Sequence, residues 1–337
     1  MNLSARISAF GTLGETLAGL GLNQRKALAE KARNENPWFT EENVVLALKG
    51  IERLLEGSKL NTWARFYCPE STSMKTVGVA MAGNIPLVGF HDLLCVLISG
   101  HRMKAKLSSQ DSVLLKFVLL KLVEIEPQFS ELIQVEDTLK GVDAIIATGS
   151  DNTARYFEYY FRKVPHLIRK NRASCAIIEG EEPQEDLELL GIDVFSHFGL
   201  GCRNVSKVFV PEEFEMARLF ESWQRFASVI NHHKYANNYD YQKTILLVNS
   251  EPFLEGEFIL LRQSKNMVSP IATLFYEKYN RLHEVNEKIE TQREKLQIIV
   301  SARGWYGGSV PFGMAQFPEV NDFADNVNSM KFLQELK

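Results

Sequence analysis

The sequence contains few cysteines, and none is spaced for a metal site. Its 337 residues include four cysteines, at positions 68, 95, 175 and 202, without a CxxC pair. Structural zinc sites need closely spaced cysteines and secreted disulfide frameworks are rich in them, so neither is indicated. The seven histidines are scattered along the chain. We therefore expect reduced thiols, no metal and a cytoplasmic location.

An excess of one charge and long apolar runs are also missing. The net charge of −4 provides no basic surface for nucleic acid. Charged residues interrupt the apolar runs well before the roughly 20 residues that span a bilayer. The first residues also lack the pattern of a signal peptide. We therefore expect no nucleic-acid partner and no membrane span, in a chain long enough for two domains.

Short apolar segments of strand length alternate with helical segments between residues 75 and 178. The predicted strands lie at 75–82, 103–107, 142–147 and 173–178. This alternation predicts a parallel sheet covered by helices, with ligands at the carboxyl ends of the strands. Residues 1–60 have helical periodicity. Two further strands are predicted at 243–248 and 258–261.

Polar residues follow three of these strands, although the GxGxxG motif is absent. Asn84 lies in a Gly-Asn-Ile-Pro turn, where it serves either as a turn residue or as an oxyanion donor. Lys106 ends a strand and either binds a ribose or is simply solvated. Thr148-Gly149-Ser150 begins a helix, as a phosphate site or as an ordinary N-cap.

Cys202 is the candidate nucleophile. It ends the loop Gly199-Leu200-Gly201-Cys202, whose glycines allow a sharp turn beside the thiol. A thiolate here could attack a carbonyl group. The commoner role of a free cysteine is that of a small buried apolar residue. Arg203 either lowers the pKa of the thiol or is an ordinary surface charge.

The order of these segments resembles the aldehyde dehydrogenase superfamily. It is most similar to the long-chain acyl-CoA reductases, which include the fatty-acid reductase of bacterial luminescence. The resemblance spans about residues 70–337. The motifs that carry it are Gly83-Asn84-Ile85-Pro86-Leu87, Gly100 with Lys106, Thr148-Gly149-Ser150, Gly199-Leu200-Gly201-Cys202, Ser269-Pro270-Ile271, Gly313-x-Ala315-Gln316-x-Pro318 and Ala324-Asp325.

The resemblance implies an α/β, aldehyde-dehydrogenase-like fold with two three-layer α/β lobes and an N-terminal helical segment. The implied divisions are a helical segment at 1–70, a nucleotide-binding domain at 71–200, a catalytic domain at 201–310 and a tail at 311–337 that packs on the first domain. Cys202 would form a thioester with the acyl group. The Asn84 side chain and the Cys202 backbone N–H would form the oxyanion hole. Lys106 would bind the adenosine ribose, and Gly149 and Ser150 the pyrophosphate.

Two departures from the superfamily pattern refine the expected chemistry. Residues 168–172 lack the Glu-Leu-Gly-Gly carboxylate that activates water in the hydrolytic enzymes. The chemistry should therefore run between thioester and aldehyde. Ser109 stands where NAD-preferring relatives often carry a glutamate, which favours NADPH, although nearby Asp111 argues against that preference.

We accordingly expect NADPH-dependent reduction of a long-chain acyl-CoA, or of an acyl carrier thioester, to the fatty aldehyde. NADP(H) would be the cofactor, and the enzyme a homo-oligomer. One alternative is a CoA-acylating aldehyde dehydrogenase that acts on short aldehydes. The other is an inactive, shortened relative that serves as an assembly or acyl-binding subunit.

Overall fold

The computed structural model describes residues 1–68, 73–149 and 151–336, which form two compact units. The first unit comprises Met1–Asn171 and Phe317–Lys337, and the second comprises Arg172–Gln316. Within the described ranges, no helix is both long enough and apolar enough to cross a membrane.

Four helices open the first unit: α1 (Leu3–Ala18), α2 (Leu22–Glu35), α3 (Glu41–Leu54) and α4 (Gly57–Tyr67). The Asn2 side chain caps α1 by accepting the Ala5 N–H at 2.8 Å, and Thr40 caps α3 in the same way. The buried residues Phe10 and Leu13 lie on the apolar face of α1. The predicted N-terminal helical segment is confirmed.

The first unit contains a five-stranded parallel sheet with the strand order β3-β2-β1-β4-β5. Its helices cover both faces. The elements are β1 (Thr76–Ala80), α5 (Phe90–Ile98), β2 (Arg102–Lys106), α6 (Ser112–Ile125), β3 (Ile133–Val135), β4 (Ala144–Thr148), α7 (Asp151–Phe161) and β5 (His166–Arg169).

The two faces of this sheet are covered unequally. Ile146 of β4 belongs to a large core shared with the N-terminal helices, α5 and α6. Its neighbours Ile145 and Ala147 belong to a small cluster that Phe157 and Phe161 of α7 cover. The alternation follows from the two-residue period of a strand. The thinly covered face leaves room for a pocket beside α7.

The second unit contains a seven-stranded sheet with the order β12-β11-β6-β7-β10-β9-β8. All pairs are parallel except β8 with β9. The elements are β6 (Ala173–Ile177), α8 (Gln184–Phe195), β7 (Val205–Pro211), α9 (Ala217–Ser222), α10 (His233–Val248), β8 (Leu254–Glu255), β9 (Leu260–Gln263), β10 (Thr273–Tyr279), α11 (Leu282–Gln292), β11 (Leu296–Ser301) and β12 (Val310–Pro311). The last helix, α12 (Ser329–Gln334), belongs to the first unit.

The structure moves the predicted domain boundaries. The division lies at 171/172 rather than 200/201, because β6 pairs with β7 and β11 of the second sheet. The tail groups with the first unit from Phe317 onward rather than from residue 311, because β12 pairs with β11. Sequence order alone does not show which sheet a strand joins.

The predicted strand at 243–248 is wrong, since these residues form the last turns of α10. Leu246 is buried, whereas the adjacent Leu247 and Val248 are exposed. Tyr235 and Tyr239, also buried, share a helical stripe with Leu246. A short apolar run does not by itself distinguish a helix end from a strand, and the polar residues before it concealed the longer helix.

Candidate functional site

The carboxyl ends of three neighbouring strands bring together the polar segments of the first unit. Ala80, the last residue of β1, pairs with Lys106 of β2 on one side and with Ala147 of β4 on the other. Asn84 and Gly149 follow β1 and β4 within a few residues. Asn84, Lys106 and Gly149 therefore lie along the same edge of the sheet, where parallel α/β sheets bind ligands.

A buried side chain is hydrogen-bonded to the backbone of the Asn84 turn, while Asn84 itself is exposed. The carbonyl of Gly83 accepts a hydrogen bond from the buried side chain of Asn36 at 3.1 Å. A Cβ at Gly83 would lie 2.5 Å from the Ser108 Oγ, so only glycine fits between the two loops. The turn is thus fixed against the loop that follows β2.

Asp111 provides a second contact between the segment that follows β1 and the loop that follows β2. Its Oδ2 accepts the N–H of Leu87 at 2.6 Å, and Leu87 has a left-handed backbone (φ 58°). Burial raises the pKa of Asp111 to about 8. The side chain is therefore largely protonated at neutral pH and faces the protein interior. The carboxylate that caps α6 is instead that of Glu35, which accepts the N–H groups of Ser112 and Val113.

A pocket of about 630 Å³ begins at Lys106 and extends over the face of the sheet beside α7. The side chains of Lys106, Lys140 and Lys163 carry positive charge around it, against one carboxylate, Asp137. Its apolar wall includes Leu139, Val142, Tyr156, Phe157, Tyr160, Phe161 and Val164. The pocket can hold a ligand with a flat apolar part and a negative charge. Sequence reasoning identified Lys106 but missed the aromatic face of α7 and the other two lysines.

Ser109 and Gly149 lie beside this region, and Ser150 lies outside the described residues. Ser109 is exposed in the turn that follows Lys106. Gly149 precedes α7, and a Cβ there would lie 2.9 Å from the Thr153 Cβ. Glycine is needed at that position because the first turn of α7 approaches so closely.

Cys202 is the only one of the four cysteines, all of them described, that is not buried. Burial raises the pKa of Cys68 to about 11 and that of Cys175 to about 12. Burial also raises the pKa of Cys95 well above its ordinary value. These three thiols remain protonated at neutral pH, and a protonated thiol is a poor nucleophile. The sequence could not make this distinction, because it depends on how deeply each cysteine is buried in the folded protein.

The loop that carries Cys202 has an unusual backbone. His197, Phe198 and Gly199 in succession have positive φ angles of 50°, 57° and 77°. Burial lowers the pKa of His197 to about 4, so its ring is neutral and supplies no positive charge near the thiol. Next to Cys202, Arg203 donates its Nε–H to the Ala315 carbonyl at 2.5 Å. Arg203 therefore has a structural contact that sequence reasoning did not anticipate.

Arg169, in the segment without the hydrolytic carboxylate, forms a buried ion pair with Asp92 of α5. It also donates to the Ser329 Oγ of α12 at 2.7 Å. One guanidinium thus joins β5, α5 and the C-terminal helix. Sequence analysis noted only the missing carboxylate here, since a partner that lies 77 residues away leaves no local signal.

With both sheets and the Cys202 loop described, the class of fold is clear. This is an α/β fold of the aldehyde dehydrogenase type, with two parallel or mixed sheets and N-terminal helices. The predicted fold class is therefore confirmed.

Solved structures of this type resemble the chain at low sequence identity. Aldehyde dehydrogenase 21 from Physcomitrella patens, bound to succinate, matches with a TM-score of 0.66 and 13% identity, over 97% of this chain and 82% of that one. An aldehyde dehydrogenase from Bacillus cereus, in complex with NAD+, gives 0.63 and 13%, over 89% and 72%. Proline utilization A from Bradyrhizobium japonicum gives 0.65 and 14%, over 89% of this chain.

The chain spans only 36% of the length of that proline utilization A protein. No protein-family model and no curated protein matches the sequence. The similarity to known structures therefore defines the fold, and the activity is argued separately below.

Proposed function

We propose that the protein is an NADPH-dependent acyl-CoA reductase that converts a long-chain acyl thioester to the fatty aldehyde through an acyl-enzyme on Cys202. The observation that carries the proposal is a single cysteine that is not buried, in a loop that begins with a left-handed glycine, on an aldehyde-dehydrogenase-type fold. The other three cysteines are too deeply buried to act as the nucleophile.

The proposed reaction has two steps. The Cys202 thiolate attacks the acyl carbon, and the tetrahedral oxyanion collapses with expulsion of the CoA thiolate, which takes a proton from solvent. Asn84 donates its side-chain N–H to the oxyanion, a role that its exposure permits. When bound, NADPH would supply the hydride that reduces the enzyme thioester. The second oxyanion then collapses, which releases the aldehyde and returns the Cys202 thiolate.

The pocket beside Lys106 fits the phosphorylated adenosine of NADPH. Tyr156 and Tyr160 offer flat surfaces for the adenine, and three lysines in the lining supply positive charge for a ribose phosphate. In the sequence, the acidic residue Asp111 near Ser109 argued against a preference for NADPH. Its carboxyl group faces the interior and is largely neutral, so it does not repel a phosphate.

Lys106→Ala should raise the Kd of NADPH at least tenfold. A hydrogen bond to a charged group contributes about 1.5–3 kcal/mol, and about 1.4 kcal/mol is a factor of ten. Fluorescence titration measures the effect without substrate. Lys26→Ala is the control, because Lys26 is an exposed lysine of α2 that does not line the pocket. Equal losses in both variants would contradict the assignment of Lys106, and tighter binding of NADH than of NADPH would contradict the cofactor preference.

Asn84→Ala should lower kcat by about 10²–10³, the usual effect of losing one oxyanion donor. NADPH affinity should not change, because the side chain acts on the oxyanion rather than on the cofactor. Asn23→Ala, at an exposed position of α2, is the control. Steady-state kinetics with acyl-CoA would measure both variants, and full activity in Asn84→Ala would remove Asn84 from the mechanism.

The activity itself is tested by incubating the protein with NADPH and acyl-CoA of increasing chain length and trapping the aldehyde. The proposal expects aldehyde formation that is fastest with long chains. A preference for short chains and for the oxidative direction would identify the CoA-acylating alternative. Failure to bind NADPH or NADH at all would instead favour an inactive assembly or acyl-binding subunit.

A further inference from the structure

Asp193, near the end of α8, is a buried carboxylate with both oxygens in use. Its side chain is 0% exposed. Oδ2 accepts the N–H of Gly313 at 2.8 Å, and Oδ1 accepts the N–H of Ala315 at 3.0 Å. The carboxylate therefore fixes the turn that follows β12. Gly313 has a left-handed backbone there (φ 81°), which a bulkier residue would strain.

That turn connects Asp193 to the neighbour of the candidate nucleophile. Ala315 presents its N–H to Asp193 and its carbonyl to the Arg203 Nε, at 2.5 Å. Ala315 therefore links the Asp193 carboxylate to Arg203, the residue adjacent to Cys202. This contact pattern also gives a structural role to the Gly313-x-Ala315 motif in the sequence.

Asp193 also supports the loop from the opposite side, through its main chain. The Asn204 side chain donates to the Asp193 carbonyl at 3.0 Å and to the Ser196 carbonyl at 2.7 Å. The Asn204 Oδ1 accepts the Gly201 N–H at 2.8 Å. Residues 201 and 204, on the two sides of Cys202, are therefore anchored to the end of α8.

We propose that Asp193 is a positioning residue, whose ionised carboxylate holds the 313–315 turn and, through Arg203, fixes the position of Cys202. The proposal deepens the function above and rests on Cys202 as the nucleophile. Asp193 does not touch the reacting atoms. It acts through Ala315 and Arg203, so its removal should change the behaviour of the thiol rather than remove a reacting group.

The protonation state of Asp193 matters because the carboxyl group faces two N–H donors. A carboxylate accepts from both, whereas a protonated carboxyl group turns its O–H toward one of them. Burial raises the pKa of Asp193 to about 7, while the Gly313 and Ala315 N–H groups and the Arg203 charge act in the opposite direction. His197, on the segment after α8, is neutral in this range. Ionisation near neutral pH should therefore tighten the loop.

The test is the rate of alkylation of Cys202 by iodoacetamide in the full-length protein, measured across pH and assigned by peptide mass spectrometry. Wild type should show a break near pH 7 in addition to ionisation of the thiol, with the slower rate below it, because a released cysteine side chain tends to bury. Asp193→Asn should abolish the break. It should also slow alkylation at alkaline pH about tenfold, the factor expected for one lost hydrogen bond to a charged group.

Two further variants make this test specific. Asp111→Asn is the matched control, since Asp111 is another buried carboxyl group with a raised pKa but belongs to the first unit. Its alkylation profile should match that of wild type. Arg203→Gln should abolish the break, because the link from the Asp193 carboxylate to Cys202 runs through Ala315 and Arg203. This variant keeps the test decisive if Asp193→Asn fails to fold.

The proposal is overturned if Asp193→Asn keeps the wild-type profile, or if Arg203→Gln leaves the break where it was. Alkylation requires neither acyl-CoA nor NADPH, so these outcomes are independent of the reductase activity. If wild type shows the break but never takes up an acyl group, the proposed function fails and the positioning role of Asp193 stands.

Discussion

Cys202→Ser is expected to lower aldehyde formation from acyl-CoA by at least about 10³-fold, since losing a catalytic nucleophile removes the covalent route. Serine keeps the size of the side chain but is not ionised at neutral pH. NADPH affinity should be unchanged, because the change lies in the second unit and Lys106 in the first. Single-turnover assays with NADPH and acyl-CoA would measure the loss.

The buried thiols provide the control for this substitution. Cys175→Ala and Cys95→Ala remove sulfur atoms whose raised pKa values keep them protonated. Both variants should retain activity, with a modest loss of stability from the small cavity left behind. If Cys202→Ser kept normal turnover while Cys175→Ala lost it, the nucleophile would be wrongly assigned.

Arg169→Met is expected to lower the free energy of unfolding by about 3–5 kcal/mol, the usual cost of leaving one member of a buried ion pair without its partner. Asp92 would remain as a buried carboxylate, only 6% exposed, without the guanidinium that neutralises it. The hydrogen bond to Ser329 of α12 would also be lost. The shift in the urea unfolding midpoint measures the effect.

The adjacent residue provides a matched comparison for Arg169. Lys170 forms an exposed ion pair with Glu158 at 3.1 Å, so Lys170→Met should cost less than about 1 kcal/mol. The double variant Asp92→Leu with Arg169→Met should recover much of the lost stability, because no buried charge then remains. Equal effects of Arg169→Met and Lys170→Met would show that the Asp92 pair contributes little.

The parts of the fold that depend on local patterns could be predicted from the sequence. The runs at 75–82, 103–107 and 142–147 alternate with helices, and they form the three central strands β1, β2 and β4. The edge strands β3 and β5 are short and partly polar, and they were missed. The domain boundary was misplaced because β6 looks like any other buried strand, and its partners in the second sheet are distant in sequence.

The residues of the candidate site could be predicted from the sequence, but the burial and the contacts of each side chain could not. Asn84, Lys106 and Gly149 were predicted near strand ends, and the register of β1 with β2 and β4 places them along one edge. Whether Asp111 is charged depends on its burial, and whether Arg203 is a free surface charge depends on the Ala315 carbonyl. Those answers require tertiary contacts that one sequence does not reveal.

The central claim is covalent capture of the acyl group by Cys202, and mass spectrometry of the intact protein tests it most directly. The protein is incubated with a long-chain acyl-CoA in the absence of NADPH, so that the thioester accumulates. We predict one added acyl group, located on the peptide that contains Cys202 and released as aldehyde when NADPH is supplied. An unmodified protein, or an acyl group on any other residue, would contradict the account.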